Sequence, residues 1–124
     1  MASILVIDDD PSVREVLRKV LERAGHTVLD AKDGKQALRM FARNPTDVVI
    51  SDMYMPEMNG IEFLIRVREA FPEARIIAMS GGGFLDQESV LAAASKLGAV
   101  GVLEKPFSPE ECLEVVQTAL DEDE

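Results

Sequence analysis

Short apolar runs alternate along the chain with longer segments in which apolar residues recur every three or four positions. The short runs predict strands at residues 4–7, 27–31, 47–51, 75–79 and 100–104. Several of these runs are apolar at consecutive positions, as in strands that are covered by helices on both faces of a sheet. Alternation of such strands with helices is typical of βα units that build one parallel sheet. We therefore predict a single α/β domain made of five βα units.

The longer segments predict five helices, and four of them have a polar residue that can cap their start. Side chains of this kind accept hydrogen bonds from the free N–H groups of a first helical turn. In chain order the predicted caps are Asp10, Asp33, Asn59 and Ser108. The remaining helix follows the glycine run at 81–83 and has the least defined start. Val16, Ile65 and Leu97 are among the residues whose spacing predicts that they face the core.

Polar side chains lie where four of the predicted strands end. An acidic run at 8–10 follows the first strand, and Asp52, Ser80 and Lys105 follow the third, fourth and fifth. Parallel strands bring their carboxyl ends to one edge of the sheet, where open α/β sheets bind their ligands. Clustered carboxylates repel one another unless a cation neutralises them. Mg²⁺ suits such a site because it takes oxygen ligands and keeps positions for water and phosphate oxygens.

These residue types also suit phosphoryl transfer. A carboxylate can attack phosphorus to form an acyl phosphate, and cations and hydrogen-bond donors must then balance the charge on the transferred oxygens. Lys105 and Ser80 would supply these groups. A purely structural role explains Asp10 well, as a helix cap, but explains the convergence of the other groups poorly.

Composition narrows the possible functions. The chain has 124 residues, of which 47% are hydrophobic, and this is enough for one globular domain with a real core. A net charge of −10 repels nucleic-acid phosphates and anionic membrane surfaces. Without an apolar stretch of ~20 residues or a leader sequence, we expect a cytoplasmic protein that binds neither membrane nor nucleic acid directly. The single cysteine, Cys112, is expected to pack in the core.

Four motifs in the strand-end segments resemble the receiver domain of two-component response regulators. They are ILVIDDD at 4–10, SDMYMP at 51–56 followed by Asn59-Gly60, MSG at 79–81 and EKPF at 104–107. The likeness covers nearly the whole chain, and four motifs in this order are highly specific. It implies a flavodoxin-like (βα)5 fold with a doubly wound, five-stranded parallel sheet in one domain spanning residues 1–124.

Carried over residue by residue, the resemblance assigns the acidic edge. It implies that Asp52 is phosphorylated and that Mg²⁺ is bound by Asp9, Asp52 and the backbone carbonyl of Tyr54, with Asp8 as an assisting acidic ligand. Ser80 would donate a hydrogen bond to the phosphoryl oxygens and Lys105 would pair with them. The bond from Lys105 to the following proline is expected to be cis, as is common in the family.

The resemblance also implies the role of the protein. It would be a single-domain response regulator that accepts a phosphoryl group from a sensor histidine kinase or a histidine phosphotransfer protein. It would signal by phosphorylation-dependent binding of a downstream protein, and it would be no enzyme beyond assisting its own phosphorylation and dephosphorylation. One departure concerns Val102, where many receivers carry a Tyr or Phe that turns inward on activation. We therefore expect the signal to pass mainly through residues 81–91.

Other functions stay open at this point. The chain could be a receiver fragment of a longer regulator whose output domain is missing. A haloacid dehalogenase-type phosphohydrolase would use Asp8 as nucleophile, but the chain lacks room for the usual cap and a second acidic pair. A flavodoxin-like electron carrier would need a phosphate loop after the first strand, where the acidic run repels phosphate. The glycine run lacks the Gly-Lys-Ser/Thr ending of nucleotide-binding phosphate loops.

Overall fold

The computed structural model describes residues 2–53, 60–81 and 87–121, with the backbone alone at 81 and 87–91. Strands and helices alternate strictly along the chain. The strands are β1 (Ser3–Ile7), β2 (Thr27–Ala31), β3 (Val48–Asp52), β4 (Ile76–Gly81) and β5 (Gly101–Lys105). The helices are α1 (Pro11–Arg23), α2 (Gly34–Arg43), α3 (Gly60–Ala70), α4 (Gln87–Lys96) and α5 (Pro109–Asp121). None of the helices in these ranges is both long and apolar enough to cross a bilayer.

The five strands form one parallel sheet in the order β2-β1-β3-β4-β5. This is the flavodoxin-like order, and it confirms the predicted fold class. The strands lie within two residues of their predicted positions. β3 and β4 extend further than predicted because Asp52 pairs with Met79 and Gly81 pairs with Lys105. Asp52, Ser80 and Lys105, which were predicted to follow their strands, thus lie in the ladder itself, whereas Asp8 follows β1 as predicted.

Alternate residues of the strands enter two separate layers of the core. On one face, Leu5 and Ile7 pack with residues of α2, α3 and α4, including Phe63. On the other face, Ile4 and Val6 pack with residues of α1 and α5. Burial on both faces explains why the strands read as continuous apolar runs. Cys112 lies in the second layer and is fully buried, as predicted, and this burial raises the pKa of its thiol to about 11.

The predicted caps at Asp10, Asp33 and Ser108 are confirmed. Ser108 Oγ accepts from the Glu111 N–H at 3.0 Å, and Glu111 Oε1 accepts from the Ser108 N–H at 2.8 Å. The Asp33 side chain accepts from Gln36 N–H at 2.8 Å. Each such cap contributes about 1 kcal/mol to stability. The fourth predicted cap, at position 59, lies outside the described residues.

Three apolar residues that the periodicity assigned to the core are exposed, and those predictions are wrong. Val16, Ile65 and Leu97 have exposed fractions of 52%, 40% and 41%. The apolar stripe of an amphipathic helix can be wider than its contact with the sheet, so residues at its edge remain in solvent.

Candidate functional site

The carboxyl ends of β1, β3, β4 and β5 bring together the side chains that the sequence singled out. Asp8, Asp52 and Ser80 are buried, with exposed fractions of 1%, 5% and 0%. The Lys105 Nζ donates to Asp8 Oδ2 at 2.8 Å and lies 3.6 Å from Asp52 Oδ2. The Lys105 ammonium therefore bridges two carboxylates: that of Asp52, at the end of β3, and that of Asp8, which follows β1. The bond between Lys105 and Pro106 is cis, as expected.

Asp8 is held on both oxygens of its carboxylate. Oδ2 accepts from Lys105, and Oδ1 accepts from the backbone N–H of Asp10 at 2.9 Å. The N–H of Asp8 continues the β1–β2 ladder by donating to the carbonyl of Ala31 at 3.2 Å. Asp8 is thus fixed in orientation before any ligand binds.

Three carboxylates at this edge are close enough to share one cation. Asp8, Asp9 and Asp52 each offer an oxygen, and these oxygens all lie within 4.8 Å of one another. Asp9 is exposed, whereas the other two are buried. A set of oxygen donors, open to solvent on one side, fits Mg²⁺, which usually keeps several waters. Tyr54, whose backbone carbonyl was predicted as a further ligand, lies outside the described residues.

The charge on Lys105 is stabilised by its acidic neighbours. Burial disfavours the ammonium, but the hydrogen bond to Asp8 and the charges of Asp52 and Asp8 outweigh this effect and raise the pKa of Lys105 above its usual value. Lys105 is therefore cationic at neutral pH and available to pair with an anionic group at Asp52.

Ser80 differs from the other residues of the site in the surroundings of its hydroxyl. Ser80 Oγ is buried and has no hydrogen-bond partner among the residues that the structure describes. A buried polar group without a partner costs about 1–3 kcal/mol, so such groups are rare and often functional. An incoming oxygen ligand at the end of β4 could satisfy this hydroxyl.

Asp10, the third member of the acidic run, has a structural role. Its Oδ1 accepts from the Ser12 hydroxyl at 2.7 Å and from the Ser12 N–H at 2.9 Å, which caps α1. The hydrogen bonds from Ser12 hold the pKa of Asp10 below its usual value. Only the first two acidic residues therefore face the cluster, as the sequence predicted.

Gly60 is a contributor whose role the motif alone did not reveal. It begins α3 and lies against the backbone of the last residues of β3 and its continuation. A Cβ at this position would lie 2.2 Å from the carbonyl oxygen of Asp52 and 2.6 Å from Cα of Met53. Only glycine allows α3 to approach the end of β3 this closely. The signal in the sequence is a glycine at a helix start, where other residues would favour the helix more.

The chain matches a known protein family over most of its length. A family model described as the response regulator receiver domain matches residues 4–117. The chemotaxis protein CheY of Thermotoga maritima is 32% identical over 114 residues, which cover 91% of this chain and 92% of that protein. A crystal structure of a response regulator receiver domain protein from Clostridium thermocellum is 34% identical with a TM-score of 0.87, covering 98% of this chain and 95% of that one.

Other relatives are much longer than this chain. The DNA-binding transcriptional regulator NtrC of Azospirillum brasilense is 37% identical over 121 residues, which cover 96% of this chain but 24% of the regulator. The hydrogenase transcriptional regulatory protein HoxA of Cupriavidus necator is 32% identical and is also covered to 24% of its length.

Proposed function

Because the chain belongs to the response regulator receiver domain family, we propose that Asp52 is its phospho-acceptor and that Mg²⁺ is held beside it. One observation carries the proposal: the buried Asp52 carboxylate lies within 4.8 Å of two other acidic groups and 3.6 Å from the Lys105 ammonium. The proposal is supported because a carboxylate that can act as nucleophile, two further carboxylates and an ammonium lie together at one sheet edge.

The ligands of Mg²⁺ would be Asp8, Asp9 and Asp52, with the backbone carbonyl of Tyr54. When bound, Mg²⁺ supplies positive charge that offsets the repulsion between the acceptor carboxylate and an incoming phosphoryl group. Asp8 is oriented through both of its oxygens, whereas Asp9 extends from the backbone into solvent. The exposed side of the cluster leaves access for water and for phosphoryl oxygens.

In the transfer step, an oxygen of Asp52 forms a bond to phosphorus while the bond from phosphorus to the donor nitrogen of a phosphohistidine breaks. The electron pair of that bond leaves with the imidazole. Lys105 is cationic and close enough to pair with the transferred group, and the Ser80 hydroxyl can donate to one of its oxygens. The product is an acyl phosphate on Asp52.

The donor would be a sensor histidine kinase or a histidine phosphotransfer protein, and the signal would pass to a downstream protein that prefers the phosphorylated form. The net charge of −10 supports protein partners over direct contact with nucleic acid. The chain covers 24% of the NtrC relative. A second possibility is therefore that the chain is the receiver part of a longer regulator.

Incubation with acetyl phosphate and Mg²⁺, followed by intact-mass measurement, tests the proposal. We expect one phosphoryl increment in the wild type and none in Asp52→Asn or in excess chelator. Asp33→Asn is a matched control, because asparagine caps α2 as well as aspartate does and Asp33 is not one of the three clustered carboxylates. An increment that survives Asp52→Asn, or that forms equally well without Mg²⁺, refutes the assignment.

A further inference from the structure

The position of Asp9 depends on its backbone. Its carboxylate makes no hydrogen bond or ion pair with any other residue in the described part of the chain. An exposed side chain without such contacts is directed mainly by the orientation of the peptide groups on either side of it. What holds those peptide groups therefore decides whether Asp9 is ready to bind a cation.

The peptide group between Asp8 and Asp9 is held by Arg14 of α1. Its carbonyl, which belongs to Asp8, accepts from Arg14 Nη1 at 2.7 Å. A hydrogen bond from an ionised donor is shorter and stronger than one between neutral groups. Together with the bond from the Asp8 N–H to Ala31, it fixes both polar groups of the Asp8 main chain.

Arg14 is itself held by β2. The side chain is mostly buried, with an exposed fraction of 20%, and its Nε lies 3.5 Å from Asp30 Oδ2. The other oxygen of Asp30 lies 3.3 Å from Arg18 Nη2, and Arg18 donates to the carbonyl of Val28 at 3.0 Å. A planar guanidinium presents several donors at fixed separations, and so it can hold the Asp8 carbonyl and the Asp30 carboxylate at once.

We propose that Arg14 is a positioning residue for cation binding: it fixes the peptide from which Asp9 extends, while Asp30 fixes Arg14. The inference rests on the proposed metal site. Neither Arg14 nor Asp30 touches the cation; both act through the backbone of the acidic run.

Electrostatics and positioning predict opposite effects when Arg14 is removed. Loss of a positive charge close to the acidic cluster would by itself tighten the binding of a divalent cation. Loss of the hydrogen bond to the Asp8 carbonyl would weaken it, because outer groups that orient metal ligands typically affect metal affinity by about 10–100-fold. The direction of the change therefore separates the two explanations.

The test is an NMR titration of the unphosphorylated protein with Mg²⁺ alone, for the wild type, Arg14→Met, Arg14→Lys and Lys19→Met. Methionine keeps an unbranched stem without donors. Lys19→Met removes the same charge from the exposed face of the same helix, where Lys19 Nζ lies 3.7 Å from Glu15 Oε2. Amide exchange of Asp10, whose N–H donates to Asp8 Oδ1, reports the order of the loop before metal is added.

We expect Arg14→Met to bind Mg²⁺ about 10-fold more weakly and to exchange the Asp10 amide faster, with Arg14→Lys between it and the wild type. Lys19→Met should bind as tightly as the wild type or slightly more tightly. If Arg14→Met is folded and binds Mg²⁺ as tightly as the wild type or more tightly, the positioning role is wrong and the proposed metal site stands. A wild type that binds no Mg²⁺ refutes the proposed metal site and the positioning role with it.

Discussion

Replacing Ser80 by alanine should stabilise the unphosphorylated domain, because it removes a buried hydroxyl that has no partner among the described residues. The unsatisfied group costs about 1–3 kcal/mol. The substitution also leaves a void of one oxygen atom, roughly 10–15 Å³, and this void destabilises the domain by about 0.3 kcal/mol. The net expectation is a gain of about 0.7–2.7 kcal/mol in the free energy of unfolding. For a domain of this size, each kcal/mol corresponds to a rise in Tm of about 3–6 °C.

Ser51 provides the matched control. It is equally buried and lies on the neighbouring strand, but its Oγ donates to the carbonyl of Asp52 at 3.1 Å. Ser51→Ala leaves that carbonyl with one partner fewer and should destabilise the domain by about 1 kcal/mol. Urea denaturation of both variants, with Mg²⁺ and phosphodonor absent, measures the contrast. If Ser80→Ala destabilises as much as Ser51→Ala, then the hydroxyl of Ser80 is satisfied in the free protein and the reasoning fails.

Gly60, Cys112 and the segment at 81–91 each allow a further measurement. Gly60→Ala should destabilise the domain by about 1–3 kcal/mol and slow phosphorylation from acetyl phosphate, because the added Cβ meets backbone atoms that cannot rotate away; unchanged denaturation and kinetics would contradict this. Labelling of native Cys112 at pH 8 should be at least about a hundredfold slower than in urea, because the thiol is fully buried from the reagent and burial also raises its pKa from 9.0 to about 11; equal rates in the two states would exclude a buried thiol. A beryllofluoride mimic should change amide exchange more in residues 81–91 than at Val102, and the reverse order would point to a switch on β5.

The elements and the location of the site could be predicted because both depend on local patterns. A strand buried on both faces must be apolar at consecutive positions, and residues at the carboxyl ends of parallel strands must meet at one edge. The sequence therefore placed Asp52, Ser80 and Lys105 together without knowledge of any distance. The capping residues could be predicted for the same reason, since a cap acts within three residues.

Contacts between elements could not be predicted in this way. Arg14 lies six residues after Asp8 on an amphipathic helix, where a charged residue usually faces solvent, and its two partners depend on how α1 crosses β2. The role of Gly60 depends on the distance between α3 and β3. The exposure of Val16 depends on the width of the contact between α1 and the sheet. Each of these is a property of packing that periodicity does not contain.

The arrangement of charges at the site indicates how phosphorylation of Asp52 would affect the neighbouring side chains. Lys105 is the cation that balances two buried carboxylates, through a short contact to Asp8 and a longer one to Asp52. A phosphoryl group on Asp52 would replace the single negative charge of the carboxylate by nearly two on the phosphoryl oxygens, at the longer contact. The ammonium would then be drawn toward the phosphoryl group, and the buried Asp8 would lose its closest positive partner. Mg²⁺ beside Asp8 would compensate for that loss, so the phosphorylated state should depend on the cation more strongly than the resting state does.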